Sequence, residues 1–406
     1  MEHYFAYIAL AMLVYCMYSA RIGSLGVTMP MVFLALGLLV GVIVGDNATA
    51  LTVETATTFH HLAEVTLAVL LFADATTLRR TALKTIGQRT RRMLLLGLPI
   101  AIVLGALINL MILPNWPIWE AFLLAALLAP TDAALGQSIR SNERIPQSFR
   151  DAMNAESGLN DGLALPFVIF FAGLAVGEAD PTLGDGALVR LIASQIGIGA
   201  AVGLLGGFAI GKLQNHVIEH GVMDKELGQV TMLMLVGFIY FAAEHVGGNA
   251  FVAVYVAGIA YANAAKDSAL PASHFLEGDG QFLAMLSFFF IGALFIPEAL
   301  ERLTPAGFLI IVLSLVVVRP AAMWISLIGT ATSANERLFY GWFGPRGLAT
   351  ALFAVFVAMD FEGMQMIGDV VEIAISAVLI SAFAHGITAK YAPELFKFSK
   401  DGAKDE

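Results

Sequence analysis

Residues 156–161 read ESGLND and stand at the head of an apolar run that continues to Phe171. At helical spacing Glu156 and Asn160 fall four apart on one face, and Ser157 and Asp161 fall four apart on the adjoining face. Two carboxylates, an amide and a hydroxyl so arranged can exchange protons, or can surround a small hard cation with oxygen. Further ionisable groups sit inside other apolar stretches: Asp74 in LLFADATTL, Asp132 after Pro130-Thr131, Arg319 in VVVRPAA and Arg346 in GPRG. A carboxylate near the centre of a bilayer costs at least ~2.5–3.5 kcal/mol, so each of these groups needs an offsetting partner or a task.

The partners can be assigned by elimination. Arg319 cannot lose its proton and needs a fixed anion, for which Glu156 is the best candidate. That pairing neutralises both and ties the sixth apolar segment to the eleventh. Asp161 is left as a carboxylate able to hold a proton or a monovalent cation, with the Ser157 hydroxyl and unwound carbonyls near Thr131 as further oxygen ligands. Arg346 either neutralises Asp132 or screens helix ends. Asp74 lies about five residues from a basic loop, and either faces the interior or snorkels toward water.

The elements that must hold these groups are membrane helices. The chain of 406 residues is 58% hydrophobic and 13% charged, where soluble domains carry about 25% charge. Thirteen apolar windows fit a hydrocarbon core about 30 Å thick, near 3–20, 27–45, 60–78, 93–112, 118–138, 150–177, 187–211, 227–245, 249–264, 279–297, 305–328, 337–359 and 369–389. Basic loops at 79–92 and 140–150 and a basic tail alternate with acidic loops at 45–54, 177–186 and 359–369. The positive-inside rule then puts the N-terminus outside and the C-terminus in the cytoplasm of a multi-pass cell-membrane protein. The N-terminus lacks a basic n-region and a cleavage site and reads as a retained first span. No long polar domain follows the last span.

Two spans are broken near their middles, the fifth at Pro130 and the twelfth at Gly344-Pro345. They lie seven apart in order and cross in opposite directions. Interrupted helices at corresponding places of inverted halves point to the midplane site of a secondary transporter. The composition and motifs exclude other classes. The charges lie in short loops, which gives no nucleic-acid surface; polar groups at one depth do not make a channel pore; and Ser157 has no neighbouring base for hydrolysis. Cys16 is expected to pack inertly, Trp116, Trp119 and Trp342 to anchor span ends, and His60, His61 and His245 to lie at loops or span ends.

ESGLND, PTD (130–132), LLFADA (70–75), RP (319–320) and GPRG resemble the monovalent cation–proton antiporters, exchanger branch, in their order along nearly the whole chain. The resemblance implies an all-α antiporter fold of 13 helices, with inverted repeats whose two unwound helices cross. It implies a homodimer in the lipid bilayer, with an ion-translocation core near 93–177 and 305–390. A dimerisation part near 1–78 and 227–297 and a linker helix at 187–211 would complete it. By position Asp161 is the cation and proton carrier, with Ser157, Thr131 and Asp132 around the ion and Glu156, Arg319, Asn160, Arg346 and Asp74 in support. The implied activity is electroneutral 1:1 exchange of Na+ or Li+ for H+, with no cofactor beyond the transported ions and no enzymatic step. A K+/H+ antiporter uses the same parts. Gly158, Ala133 and Pro345 depart from the family's commoner residues at the two breaks.

Overall fold

The computed structural model describes residues 2–44, 53–76, 87–132, 139, 142, 144–179, 185–223, 227–265, 271–361 and 363–396. Ala133, the basic loop at 79–86 and the tail lie outside these. Among the described residues the chain is all helix and turn, without strand. The helices are α1 (Glu2–Ser24), α2 (Met29–Val44), α3 (Val53–Thr76), α4 (Gln88–Ile112), α5 (Ile118–Leu127), α6 (Gln147–Ala179), α7 (Asp185–Glu219), α8 (Gly228–His245) and α9 (Ala250–Ala264). They continue with α10 (Pro271–Phe290, extended through Ile291–Phe295 to Arg302), α11 (Pro305–Ser326), α12 (Ala334–Trp342), α13 (Leu348–Asp360), α14 (Ile367–Ala389) and the short α15 (Ala392–Leu395). Helical segments stand at each of the thirteen expected positions. Six of them are long and apolar enough to cross a membrane, and six more apolar helices are shorter.

Lipid tails are as apolar as leucine, so helices in a bilayer associate by close packing rather than by the hydrophobic effect. The sequence supplies that packing with glycine. On α7, Gly199, Gly203, Gly207 and Gly211 repeat every fourth residue and so share one face. A Cβ on each would run into the backbone of Asn249, Ala253, Ala257 and Tyr261 respectively, so α7 lies backbone to backbone along α9. Such an approach admits Cα–H···O contacts at every turn. Gly258 brings α9 equally close to α3, with its Cβ position 2.5 Å from the Phe72 carbonyl, and Gly37 and Gly41 seat α2 against Phe289–Ala293 of α10. The segment expected at 187–211 therefore continues to Glu219, as a helix of 35 residues.

Around the site the packing is polar at chosen points. Glu120 of α5 is fully buried and accepts the Gln365 and Met366 N–H groups at 2.8 and 2.7 Å, capping the entry to α14. Asn109 ties α4 to α5 through the Ala121 carbonyl at 2.9 Å. α12 starts on a capping box, Ser333 with Glu336. Outward faces are apolar and exposed, as at Met111, Leu205 and Phe241, which suits lipid.

Several expectations change. Cys16 is exposed rather than packed. Trp116, in the connection between α4 and α5, is buried, and Trp342, the last residue of α12, donates to Thr388 Oγ1 at 3.0 Å.

Candidate functional site

The site begins where the fifth span stops being helical. α5 ends at Leu127, three residues before Pro130, and residues 130–132 are non-helical and buried. The other break is the non-helical segment between Trp342 and Leu348. Each break serves the other. Arg346, 1% exposed, donates through Nη1 to the Ala129 and Pro130 carbonyls at 3.1 and 3.3 Å, just beyond the C-terminal end of α5. Asp132 Oδ2 accepts the Leu348 N–H at 2.6 Å at the start of α13, and the Asp132 N–H donates to the Pro345 carbonyl at 2.8 Å. A cation thus meets the negative end of one helix and an anion meets the positive end of the other. Of the two roles open to Arg346, the contacts are those of screening a helix end.

The GPRG motif owes both its glycines to this crossing. A Cβ on Gly344 would overlap the Arg319 guanidinium, and one on Gly347 would overlap the Asp132 carboxylate. Arg346 is held from behind as well. Its N–H donates to Ser381 Oγ at 2.7 Å, and its Nη2 reaches Ser314 Oγ at 3.4 Å. Ser381 in turn meets His385 Nδ1 at 3.0 Å. Ser314, Ser381, His385 and Glu120 were not singled out from sequence. Glu120 alone gave a signal, as a charge inside an apolar window.

On α6 the two expected stripes separate. Glu156, 2% exposed, receives Arg319 Nη2 on both oxygens at 3.2 and 3.1 Å. Asn160 Nδ2 adds a donor to Oε1 at 3.0 Å, and Thr131 Oγ1 adds one to Oε2 at 3.1 Å. Arg319 also reaches the Tyr340 carbonyl at 3.4 Å. The carboxylate has two donors per oxygen, which offsets its burial, while the Arg319 Nε is left without an acceptor. Thr131 Oγ1 lies 3.3 Å from Ser157 Oγ, which draws Ser157 into the same network.

Asp161, one turn further along α6, is different. Its Oδ1 is shut off from solvent and has no hydrogen-bond partner. Its charged neighbours are Asp74, Asp132 and Glu156. Asp74 Oδ1 lies 4.0 Å from where a Gly158 Cβ would stand, so Asp74 faces α6 rather than snorkelling to water. The structure therefore gathers Thr131, Asp132, Glu156, Ser157, Asn160, Asp161, Arg319, Arg346 and Asp74 into one region. Most are bonded to one another or to helix ends. Asp161 has an oxygen left over, able to accept a proton or a cation.

The chain is 24% identical over 378 residues to the K(+)/H(+) antiporter NhaP2 of Shewanella sp. strain MR-4, covering 92% of this chain and 63% of the relative, and so spans under two thirds of that relative's length. It is 29% identical over 241 residues to YjcE of Escherichia coli, an uncharacterised Na(+)/H(+) exchanger by its name, covering 57% of this chain and 42% of that one. In fold it is similar to the sodium proton antiporter MjNhaP1 of Methanocaldococcus jannaschii at pH 8, with a TM-score of 0.75 and 22% identity over 94% of this chain and 98% of that one. Residues 8–392 match the transmembrane sodium/hydrogen exchanger family. With that match over nearly its full length, the chain belongs to the sodium/hydrogen exchanger family.

Proposed function

We propose that this protein is a secondary active transporter that exchanges a monovalent cation for a proton across the cell membrane. The observation that carries the reading is the contrast between two carboxylates on one helix. Glu156 is fully engaged by Arg319, Asn160 and Thr131, while Asp161 keeps a buried oxygen without a donor. Asp161 is the group that alternately holds H+ and the cation. Ser157, Thr131 and Asp132 stand round the ion, and Asn160, Glu156, Arg319, Arg346 and Asp74 fix the frame. No cofactor takes part beyond the transported ions.

Alternating access follows from two bodies moving against each other: a core of about 93–177 and 305–390, and a dimerisation part of about 1–78 and 227–297, with the helix from 187 linking them. The chain works as a homodimer, with its N-terminus outside and its C-terminus in the cytoplasm. The transported cation is Na+, with Li+ as its close analogue. K+ is the second reading, supported by the K(+)/H(+) name of the Shewanella relative. The test is proton flux in proteoliposomes of purified protein, with Na+, Li+ and K+ supplied in turn. Acid-loaded vesicles that discharge on addition of one of these cations support the reading; discharge with none of them ends it.

A further inference from the structure

Asp161 Oδ1 makes no hydrogen bond, and on α9, packed against the same stretch of α6, a phenol stands without a partner. Tyr255 of α9 is 7% exposed, and its Oη has no hydrogen-bond partner. Its ring lies flat against the next residue along from Asp161: a Cβ on Gly162 would overlap Tyr255 Cε2 and Cζ, the carbon that bears the hydroxyl. Asp74 and Asp161 are the charged groups that act on this hydroxyl. Gly162 thus leaves room on α6 for the Tyr255 ring from α9, and Asp74 of α3 stands beside Gly158 one turn earlier on the same face.

Two further facts bear on what this groove holds. Pro166 has no N–H, so the Gly162 carbonyl loses its helical donor. Asp161 Oδ1 and Tyr255 Oη have no hydrogen-bond partner, the Gly162 carbonyl lacks its helical donor, and the Tyr255 ring packs on the residue next to Asp161. Leaving a buried polar atom unsatisfied is unfavourable, and a hard monovalent cation satisfies several oxygens at once. The second fact concerns rigidity. On either side of Tyr255, the carbonyls of Ala253 and Ala257 are overlaid by Gly203 and Gly207 of α7, and Gly258 closes onto α3. The hydroxyl is carried by a clamped backbone.

We propose that Tyr255 contributes its hydroxyl oxygen to the transported cation, so that the cation seat spans α6 and α9 rather than lying within α6 and the broken helices. This deepens the exchange reading and rests on it. A core that carries Asp161 past α9 then changes the cation's ligand set, since Tyr255 does not travel with it.

The test is purified Tyr255→Phe in proteoliposomes, which keeps the ring on Gly162 and removes only the oxygen. The half-saturating concentration of the transported cation, tried as Na+, Li+ and K+, is expected to rise about tenfold, with maximal rate within about twofold of wild type. An unchanged half-saturating concentration overturns the proposal. So does a lowered maximal rate at unchanged half-saturation, which is the signature of a packing role. A second readout is cation-induced thermal stabilisation in detergent, expected to need about tenfold more cation in the variant; equal titrations overturn the proposal. If Tyr255→Phe fails to fold, Tyr255→His carries the same measurements, and wild-type-like half-saturation in Tyr255→Leu refutes the role. Wild-type protein that exchanges none of the three cations brings down the exchange reading and this proposal with it. Wild-type exchange with an indifferent Tyr255→Phe brings down this proposal alone.

Discussion

Asp132 Oδ2 accepts the Leu348 N–H at 2.6 Å, so a side chain from one broken helix caps the other. Its charge faces the positive end of α13, which favours the ionised carboxylate. On the exchange proposed above, Asp132 held in this way is expected to keep its charge through the cycle, with Asp161 alone changing occupancy. Protonated Asp161 is neutral, and so is Asp161 with one monovalent cation. Exchange is therefore expected to be one for one and indifferent to membrane potential, where one uncompensated charge couples to about 2.3 kcal/mol per 100 mV. The measurement is exchange in proteoliposomes with potential clamped by an ionophore and ion gradients fixed. A driving force that follows the clamp implicates a second titrating group, Asp132 first.

The same cap sets the outcome of substitution. Asn caps helices about as well as Asp, and Ala costs about 0.5–2 kcal/mol. Asp132→Asn is expected to keep near-wild-type thermal stability in detergent, and Asp132→Ala to lose it by about that amount. Equal melting of the two variants would show that the Leu348 bond contributes nothing.

Asp161→Asn is expected to abolish cation-driven proton movement while leaving the fold intact. The amide keeps the size of the side chain and one ligand oxygen but cannot exchange a proton. Proton flux and circular dichroism on the same preparation decide it: robust flux in folded Asp161→Asn removes Asp161 from the carrier role.

Glu156 and Arg319, both about 3% exposed at the side chain and 3.1 Å apart, are expected to act as one unit. Removing either alone strands a buried charge and costs about 3–5 kcal/mol. A double substitution to neutral residues of similar volume, Glu156→Gln with Arg319→Met, is expected to recover much of that loss. Single variants as stable as wild type in thermal unfolding would contradict the pairing.

Gly347→Ala tests the crossing itself. The added Cβ meets the Asp132 carboxylate, which is fixed at the α13 N-terminus and has little room to retreat. Overpacking of this kind costs about 1–3 kcal/mol. The variant is expected to lose stability and exchange together. Gly237→Ala, with nothing within 4 Å of its Cβ position, is the indifferent control.

Local physics made much of this protein readable in its sequence. Apolar runs announce membrane helices because backbone groups in lipid have to be satisfied within the segment. Pro130 and Pro345 announce the two breaks because proline withholds a donor. A buried arginine obliges a carboxylate, which is how Glu156 and Arg319 can be paired across 163 residues of chain. Charge and periodicity suffice for each of these inferences.

Direction and proximity across helices were decided only by the tertiary structure. Whether Arg346 faced Asp132 or a helix end turned on where α5 stopped, and it stopped at Leu127, exposing the Ala129 and Pro130 carbonyls to the guanidinium. Asp74 could have snorkelled, but its carboxylate lies against α6 near Gly158. The roles of Ser314 and Ser381 are invisible in sequence because each serves Arg346, far away along the chain. Tyr255 carries no motif at all: its position beside Asp161 arises from Gly162 on one helix and the glycine ladder of α7 behind the other. Contacts made by the absence of a side chain leave no pattern in the residues that benefit from them, so only the packed structure reveals them.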